Sequence, residues 1–166
     1  MTLDAAVPDA VTSDDGAFGE DVARTYDEDS DPMFAPAMVD PAVDLLAELA
    51  GDGPALEFGV GTGRIALPLA ARGTPVSGID LSLAMLGRLR AKPGGEGIAV
   101  TQGDFSSTRV AGTYRLVYLV FNTIQNVLTQ QGQTNVFRNA AAHLVAGGRF
   151  LIEVGIPDLQ RLPRQW

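Results

Sequence analysis

Apolar positions along the chain switch between two rhythms, one helical and one extended. Val43, Leu46, Ala47 and Ala50 recur at i, i+3, i+4 and i+7, the spacing of one buried helical face. Asp40 as cap, Pro41 at the first helical position and Gly51 after the last turn predict where that helix starts and stops. Downstream, Pro54 to Phe58 and Pro75 to Ile79 read as short strands, and Ile98 to Thr101 as a third. Arg115 to Phe121 is a continuous apolar run, expected of a fourth strand covered on both faces. Arg149 to Val154 is expected to be a fifth.

Between these strands the pattern predicts helices. One runs from Arg64 to Arg72 and ends at Gly73, with Pro68 expected to bend its second turn. Another is capped by Ser82 and carries Met85, Leu86 and Leu89 until Pro93-Gly94-Gly95 stops it. A third spans about Gln133 to Val145, before Gly147-Gly148. Strands alternating with helices require crossover connections, so the expected class is α/β, a doubly wound, mostly parallel sheet of about five strands with helices on both faces. Upstream, Phe18 to Tyr26 predicts a short helix and Asp27 to Pro32 a loop. Residues 1–17 lack an apolar period and are expected to form a flexible acidic tail.

Composition narrows the chemistry. With 166 residues and 46% apolar content the chain suffices for one sizeable core. No cysteine is present, which excludes disulfides, thiolate zinc sites and cysteine nucleophiles. The start lacks the basic and apolar pattern of a secretory signal, and no apolar run approaches the roughly 20 residues that span a bilayer, so a cytoplasmic protein without membrane contact is expected. Charge is uneven: residues 1–50 carry 13 acids against the single base Arg24, while the remainder is mildly basic and the whole sums to −8. That balance argues against a nucleic-acid partner.

The chemistry concentrates where strands end. Gly59, Gly61 and Gly63 follow the first strand and open a helix, so bare backbone and unpaired N–H groups face an anionic ligand there. A dinucleotide fingerprint needs a small residue where Arg64 stands, and no Lys-Ser or Lys-Thr pair follows for a phosphate loop. Asp80 lies 19 residues after Gly61, placed to accept from both hydroxyls of an unphosphorylated ribose. Asp104-Phe105 follows the third strand as an acceptor beside an apolar face.

Four segments in this order, Glu57-Phe58-Gly59-Val60-Gly61-Thr62-Gly63, Ile79-Asp80-Leu81-Ser82-Leu83-Ala84-Met85, Gln102-Gly103-Asp104-Phe105 and Leu144-Val145-Ala146-Gly147-Gly148-Arg149-Phe150, resemble the motifs of class I S-adenosylmethionine-dependent methyltransferases of small molecules. The last has Ala146 where that family has proline. The resemblance implies a Rossmann-like fold with S-adenosylmethionine as cofactor and S-adenosylhomocysteine as product. It implies a cofactor site of Glu57, Gly59, Gly61, Gly63, Arg64, Asp80, Leu81, Met85, Asp104, Phe105 and Phe121, with Tyr26 of a Tyr-Asp pair folding over it and Arg24 or Arg64 pairing with the cofactor's carboxylate. No metal is implied. Asn122-Thr123-Ile124-Gln125 lacks the Pro-Pro-aromatic tetrad of nucleobase amine methylation, so a small-molecule acceptor is expected, with Asn122, Gln125 and Asn126 as polar groups near the methyl and Glu153 as candidate base. His143, the one histidine, is expected to be structural or at the surface.

The division expected is residues 1–17 tail, 18–40 lid segment, 41–156 cofactor-binding domain and 157–166 C-terminal tail. The family usually adds a helix and an antiparallel strand pair after the fifth strand, and only twelve residues follow Val154 here. The fifth strand is therefore expected to be an open apolar edge, which invites a homodimer through that edge or by terminal exchange. Loss of those strands also leaves a second reading, a cofactor-binding or assembly module without turnover. An NAD-dependent oxidoreductase is disfavoured by Arg64 and by the lack of a Tyr-x-x-x-Lys pair.

Overall fold

Alternating burial on the central strands determines the architecture. On β1 (Ala55–Phe58) all four residues are buried: Ala55 packs into one apolar layer, while Leu56 and Phe58 enter a second on the opposite face. On β4 (Tyr114–Leu119), Leu116 and Tyr118 join the first layer and Val117 and Leu119 the second. Both strands thus lie between covered faces, as their apolar runs require. The structure, a computed structural model, describes residues 18–29 and 31–155. The tails expected at 1–17 and 157–166 lie outside those residues.

Five strands, completed by β2 (Val76–Asp80), β3 (Ala99–Gln102) and β5 (Leu144–Ile152), form one parallel sheet in the order β3-β2-β1-β4-β5. Helices α3 (Pro36–Ala50), α4 (Ala66–Ala71) and α5 (Leu83–Ala91) cover one face, through Val43, Leu46, Leu69, Leu86 and Leu89. Helix α6 (Gln130–His143) covers the other with Val136 and Ala140. The doubly wound α/β expectation holds. Strand order reverses between β1 and β4, and a fold of this kind opens its ligand crevice at that point, beyond the carboxyl ends of the strands.

Several boundaries differ from the pattern-based expectation. The upstream segment is helical in α1 (Glu20–Asp29) and α2 (Asp31–Phe34), where Asp27 to Pro32 suggested a loop. Helix α3 starts at Pro36, so Pro36 rather than Pro41 holds the first helical position and Asp40 is no cap. The buried face explains this, because Val39 lies one turn before Val43 and extends the same stripe. Pro41 then costs one internal hydrogen bond. Helix α4 begins at Ala66, which places Pro68 in the first turn, where a missing donor is tolerated. Ser82 caps α5 as expected, its hydroxyl accepting the Met85 N–H at 3.1 Å. Helix α6 starts three residues early, capped by Thr129, whose side chain accepts from the Gly132 N–H. Strand β5 begins directly after it at Leu144, with a register shift opposite Tyr114 to Leu116 that absorbs Gly147 in a left-handed conformation (φ 76°).

Strand β4 stops at Leu119, short of the end expected at Phe121, and Phe121 and Asn122 turn away in left-handed conformations. Strand β5 pairs only with β4 and ends the sheet among the described residues. No helix among them is long and apolar enough to cross a membrane.

Candidate functional site

The exits of β1, β2, β3 and β4 converge on a cavity of about 630 Å³, within the range of roughly 300–1,000 Å³ typical of small-molecule sites. Its walls include Gly59, Gly61, Asp80, Leu81, Met85, Asp104 and Phe105, with Tyr26 contributed by α1. These eight expected site residues meet in space although they span nearly eighty positions of sequence.

The glycine turn is shaped by its φ angles. Gly59 and Gly61 have φ of +70° and +52°, a region that side chains with a Cβ enter at a cost. A Cβ on Gly59 would stand 2.7 Å from Thr123 Cγ2, whereas one on Gly61 would meet no atom within 4 Å. The bare backbone at Gly61 thus leaves the space before it free for a ligand. Asp80 binds this turn to the next helix: Oδ2 accepts the Gly61 N–H at 2.7 Å and Oδ1 accepts the Ser82 N–H at 2.9 Å.

The loop after β3, which also lines the cavity, folds on itself. The Thr108 N–H reaches the Asp104 carbonyl at 2.7 Å, and the Ser106 N–H reaches Asp104 Oδ1 at 2.7 Å. Phe105 stacks on Phe58 with centroids 5.8 Å apart and planes 18° apart. Met85, from the other side, is almost wholly buried.

Glu57, Gly63, Arg64 and Phe121 are not among the cavity walls. Glu57 is buried in the sheet, where its carboxylate accepts the Tyr118 hydroxyl at 2.9 Å. Burial pushes its pKa up to about 8, against lowering contributions from the Tyr118 hydroxyl, the Arg64 charge and the Ala66 backbone N–H. Tyr118 is itself raised well above a phenol's ordinary range, first by burial and then by Glu57. Arg64 lays its guanidinium 4.4 Å from the Phe121 ring centroid and donates to the Met33 carbonyl at 3.1 Å. Arg24 is exposed.

The upstream arm docks at the rim through complementary charge. Asp27 accepts the Thr62 hydroxyl at 2.6 Å and pairs with Lys92, which also donates to the Thr62 carbonyl at 2.8 Å. The Ser82 hydroxyl donates to the Phe18 carbonyl at 2.6 Å, and Phe18 meets Tyr26 edge to face. Burial raises the Tyr26 pKa, so its phenol stays protonated at neutral pH.

Asn122 and Glu153 also stand outside the cavity walls. Glu153 Oε2 accepts the Phe121 N–H at 3.0 Å, and Asn122 Oδ1 accepts from the Gly155 N–H. Gln125 and Asn126 do line the cavity, beside Thr123, Val127, Leu128 and Thr129 of the β4–α6 segment. Thr123, Ser106 and Phe18 were not foreseen; they bear no distinctive spacing, and only the turn of β4 at Phe121 brings Thr123 inward. His143 is buried on α6, with Nδ1 2.8 Å from the Asn139 carbonyl and Nε2 accepting the Val110 N–H at 3.1 Å. No group of three or more His, Asp or Glu side chains among the described residues is placed to hold a metal ion.

A doubly wound sheet with a glycine turn after β1, a carboxylate closing β2 and a cavity at the strand-order reversal is the arrangement in which α/β folds of this kind bind nucleotide cofactors. Residues 55–148, more than half the chain, match the family described as methyltransferase domain, and the chain belongs to that family. It is similar to the CcbJ methyltransferase from Streptomyces caelestis, at 34% identity over 83% of this chain and 57% of that one, with a TM-score of 0.73. The glycopeptide N-methyltransferase MtfA shares 25% identity over 68% of this chain and 51% of its own, with a TM-score of 0.60. CalS10, an amino pentose methyltransferase from Micromonospora echinaspora solved with S-adenosylmethionine bound, shares 25% identity over 74% of this chain and 52% of its own (TM-score 0.62). The chain spans between half and three fifths of these relatives' lengths. No curated protein sequence matches it.

Proposed function

We propose that the cavity binds S-adenosylmethionine and that the chain, as part of a methyltransferase, serves methyl transfer to an amine on a small molecule. The observation that carries this reading is Asp80, a carboxylate at the end of β2 that holds the Gly61 N–H and faces the same cavity. In this reading Asp80 accepts the ribose hydroxyls, and the Gly59–Gly61 backbone lies against the methionine portion. Leu81, Met85 and Phe105 flank the base, and Asp104 accepts its amino group. Tyr26 covers the opening. Glu57, Gly63, Arg64 and Phe121 act from behind, by holding the turn and the β4 exit in place. Glu153 and Asn122 fix that exit, with Glu153 the remaining candidate for proton removal. The amine acceptor rests on the relatives, an N-methyltransferase and an amino pentose methyltransferase among them.

When bound, the cofactor supplies a methyl group on a sulfonium, a reactive electrophile that needs little chemical help from protein. The residues contribute alignment and exclusion of water, the first by the rigid strand exits and the second by the docked arm. A base is required only for an acceptor amine that arrives protonated. A cytoplasmic setting without nucleic-acid or membrane partners goes with this reading.

A second reading is favoured by β5, whose outer edge has no partner among the described residues. That edge supports self-association with a second copy, and the second reading is accordingly a cofactor-binding or assembly module. Calorimetric titration with S-adenosylmethionine, S-adenosylhomocysteine and NADH tests both. Micromolar binding of the first two, weakened by Asp80→Ala, supports the site, and an amine acceptor screen then separates enzyme from module. Binding of NADH alone overturns the assignment. Light scattering that shows only monomer counts against the dimer.

A further inference from the structure

Helix α6 reaches through the sheet's second apolar layer to grip the loop that carries Asp104 and Phe105. Asn139 is 2% exposed on that helix. Its amide nitrogen donates to two carbonyls of the loop, Phe105 at 2.7 Å and Thr108 at 2.9 Å. Its amide oxygen is buried without a partner among the described residues, an arrangement that costs stability. The reverse orientation would set that oxygen against two carbonyl oxygens, so the donors fix the side chain. One turn on, His143 accepts the Val110 N–H and so holds the far end of the same segment.

We propose that Asn139 is a positioning residue that sets both affinity and base selectivity at the nucleoside end of the cavity, an inference that rests on the cofactor reading above. It is not among the residues that line the cavity. It acts through backbone: the Phe105 and Thr108 carbonyls flank the turn that aims the Asp104 carboxylate and the Phe105 ring at the cavity. Two hydrogen bonds to one amide fix both the height and the rotation of that turn. Without them two buried carbonyls lose their donors, and the loop must move to find water. A six-amino purine needs an acceptor held within hydrogen-bond reach, whereas a six-oxo purine gains nothing from it. Selectivity for the amine form therefore depends on the loop being held.

The experiment compares S-adenosylhomocysteine with S-inosylhomocysteine by calorimetry on the whole chain. Wild type is expected to prefer the first by about tenfold or more. Asn139→Ala should weaken S-adenosylhomocysteine about tenfold and bring the two ligands close together. Val136→Ala, which truncates a buried side chain on the same helix, should lower Tm yet keep the preference. Asn139→Asp preserves shape and gives a second route if the alanine variant does not fold. Its protonated carboxyl donates once, and ionisation against two carbonyls should make its affinity fall with rising pH more steeply than wild type. Unchanged preference in both Asn139 variants, or an equal loss in Val136→Ala, overturns the proposal while leaving the cofactor reading intact. Wild type that binds neither nucleoside removes that reading, and this inference with it.

Discussion

The Glu153 side chain accepts the Phe121 N–H at 3.0 Å across the exits of β4 and β5, and Phe121 and Asn122 are, among the described residues, the two other than glycine with left-handed backbone, at φ 60° and 59°. Each such residue costs about 1–2 kcal/mol relative to ordinary helical backbone. The strain is held by four restraints: the Glu153 acceptor, the Glu153 N–H bonded to the Leu119 carbonyl, Asn122 on Gly155, and Arg64 stacked on the Phe121 ring. If acceptance is what matters, Glu153→Gln should keep thermal stability near wild type, because an amide oxygen also accepts. Glu153→Ala should cost about 0.5–1.5 kcal/mol, the usual net worth of such a bond, and speed amide exchange at Phe121. A base role makes the opposite demand: Glu153→Gln would then lose methyl transfer as fully as Glu153→Ala.

Glu57 predicts a pH dependence. Its pKa is about 8 in the fold against an ordinary 4.5. Between those values the folded chain keeps a proton that the unfolded chain has lost. Its contribution therefore makes stability fall as pH rises from about 4.5 to about 8 and level off above, with a slope of about 1.4 kcal/mol for each step of one in pH. Glu57→Gln cannot titrate. Relative to wild type it should gain stability between pH 5 and pH 9 in denaturant melts. Equal pH slopes for the two proteins would show that the buried carboxyl is not protonated by the fold.

Asp27 links the arm to the glycine turn through Thr62 and Lys92, next to the cavity-facing Tyr26. Both charged groups are partly exposed, so the ion pair alone is worth less than about 1 kcal/mol. The expected effect of Asp27→Ala is correspondingly modest: a few-fold weaker S-adenosylhomocysteine binding, and faster proteolysis within α1. Added salt should bring wild type toward the variant. Proteolysis that is unchanged by the substitution would mean that α1 is held by its other contacts, the Ser82–Phe18 bond foremost.

The sheet was legible because its signals are local. Ser82 stands before an apolar helix, and β4 is an unbroken run between turn residues; neither needs knowledge of a distant partner. The same is true of the order of Gly59, Asp80 and Asp104, since each follows a strand directly. What was hidden depends on long-range pairing. The buried bond between Glu57 and Tyr118 joins residues 61 positions apart and leaves no mark in the local pattern of either. The apolar rhythm of β4 continues through Phe121 although the backbone turns there. Asn139 does carry a sequence signal: with Val136, Ala140 and His143 it completes one buried helical stripe, and an amide in such a stripe needs a partner.

Two glycines two residues apart allow stability and binding to be separated. Gly59→Ala meets a φ of +70° and places its Cβ 2.7 Å from Thr123 Cγ2, a contact that requires movement of the β4 exit. It should destabilise by more than the roughly 1–2 kcal/mol of left-handed backbone alone. Thr123→Ser removes that methyl and keeps the hydroxyl that donates to the Val120 carbonyl at 2.7 Å. The double variant should recover the steric part and retain the backbone part. Gly61→Ala carries only the backbone cost, because its Cβ meets nothing within 4 Å. In the proposed site, however, that Cβ occupies space reserved for the ligand. Gly61→Ala should therefore stay folded, with a loss of about 1 kcal/mol in denaturant melts, and bind S-adenosylhomocysteine at least about tenfold more weakly. Gly59→Ala with Thr123→Ser should show the reverse balance, losing more stability than affinity. If Gly61→Ala binds as wild type does, the ligand does not lie against that turn, and the Gly59–Gly61 backbone serves only to pass the chain from β1 to α4.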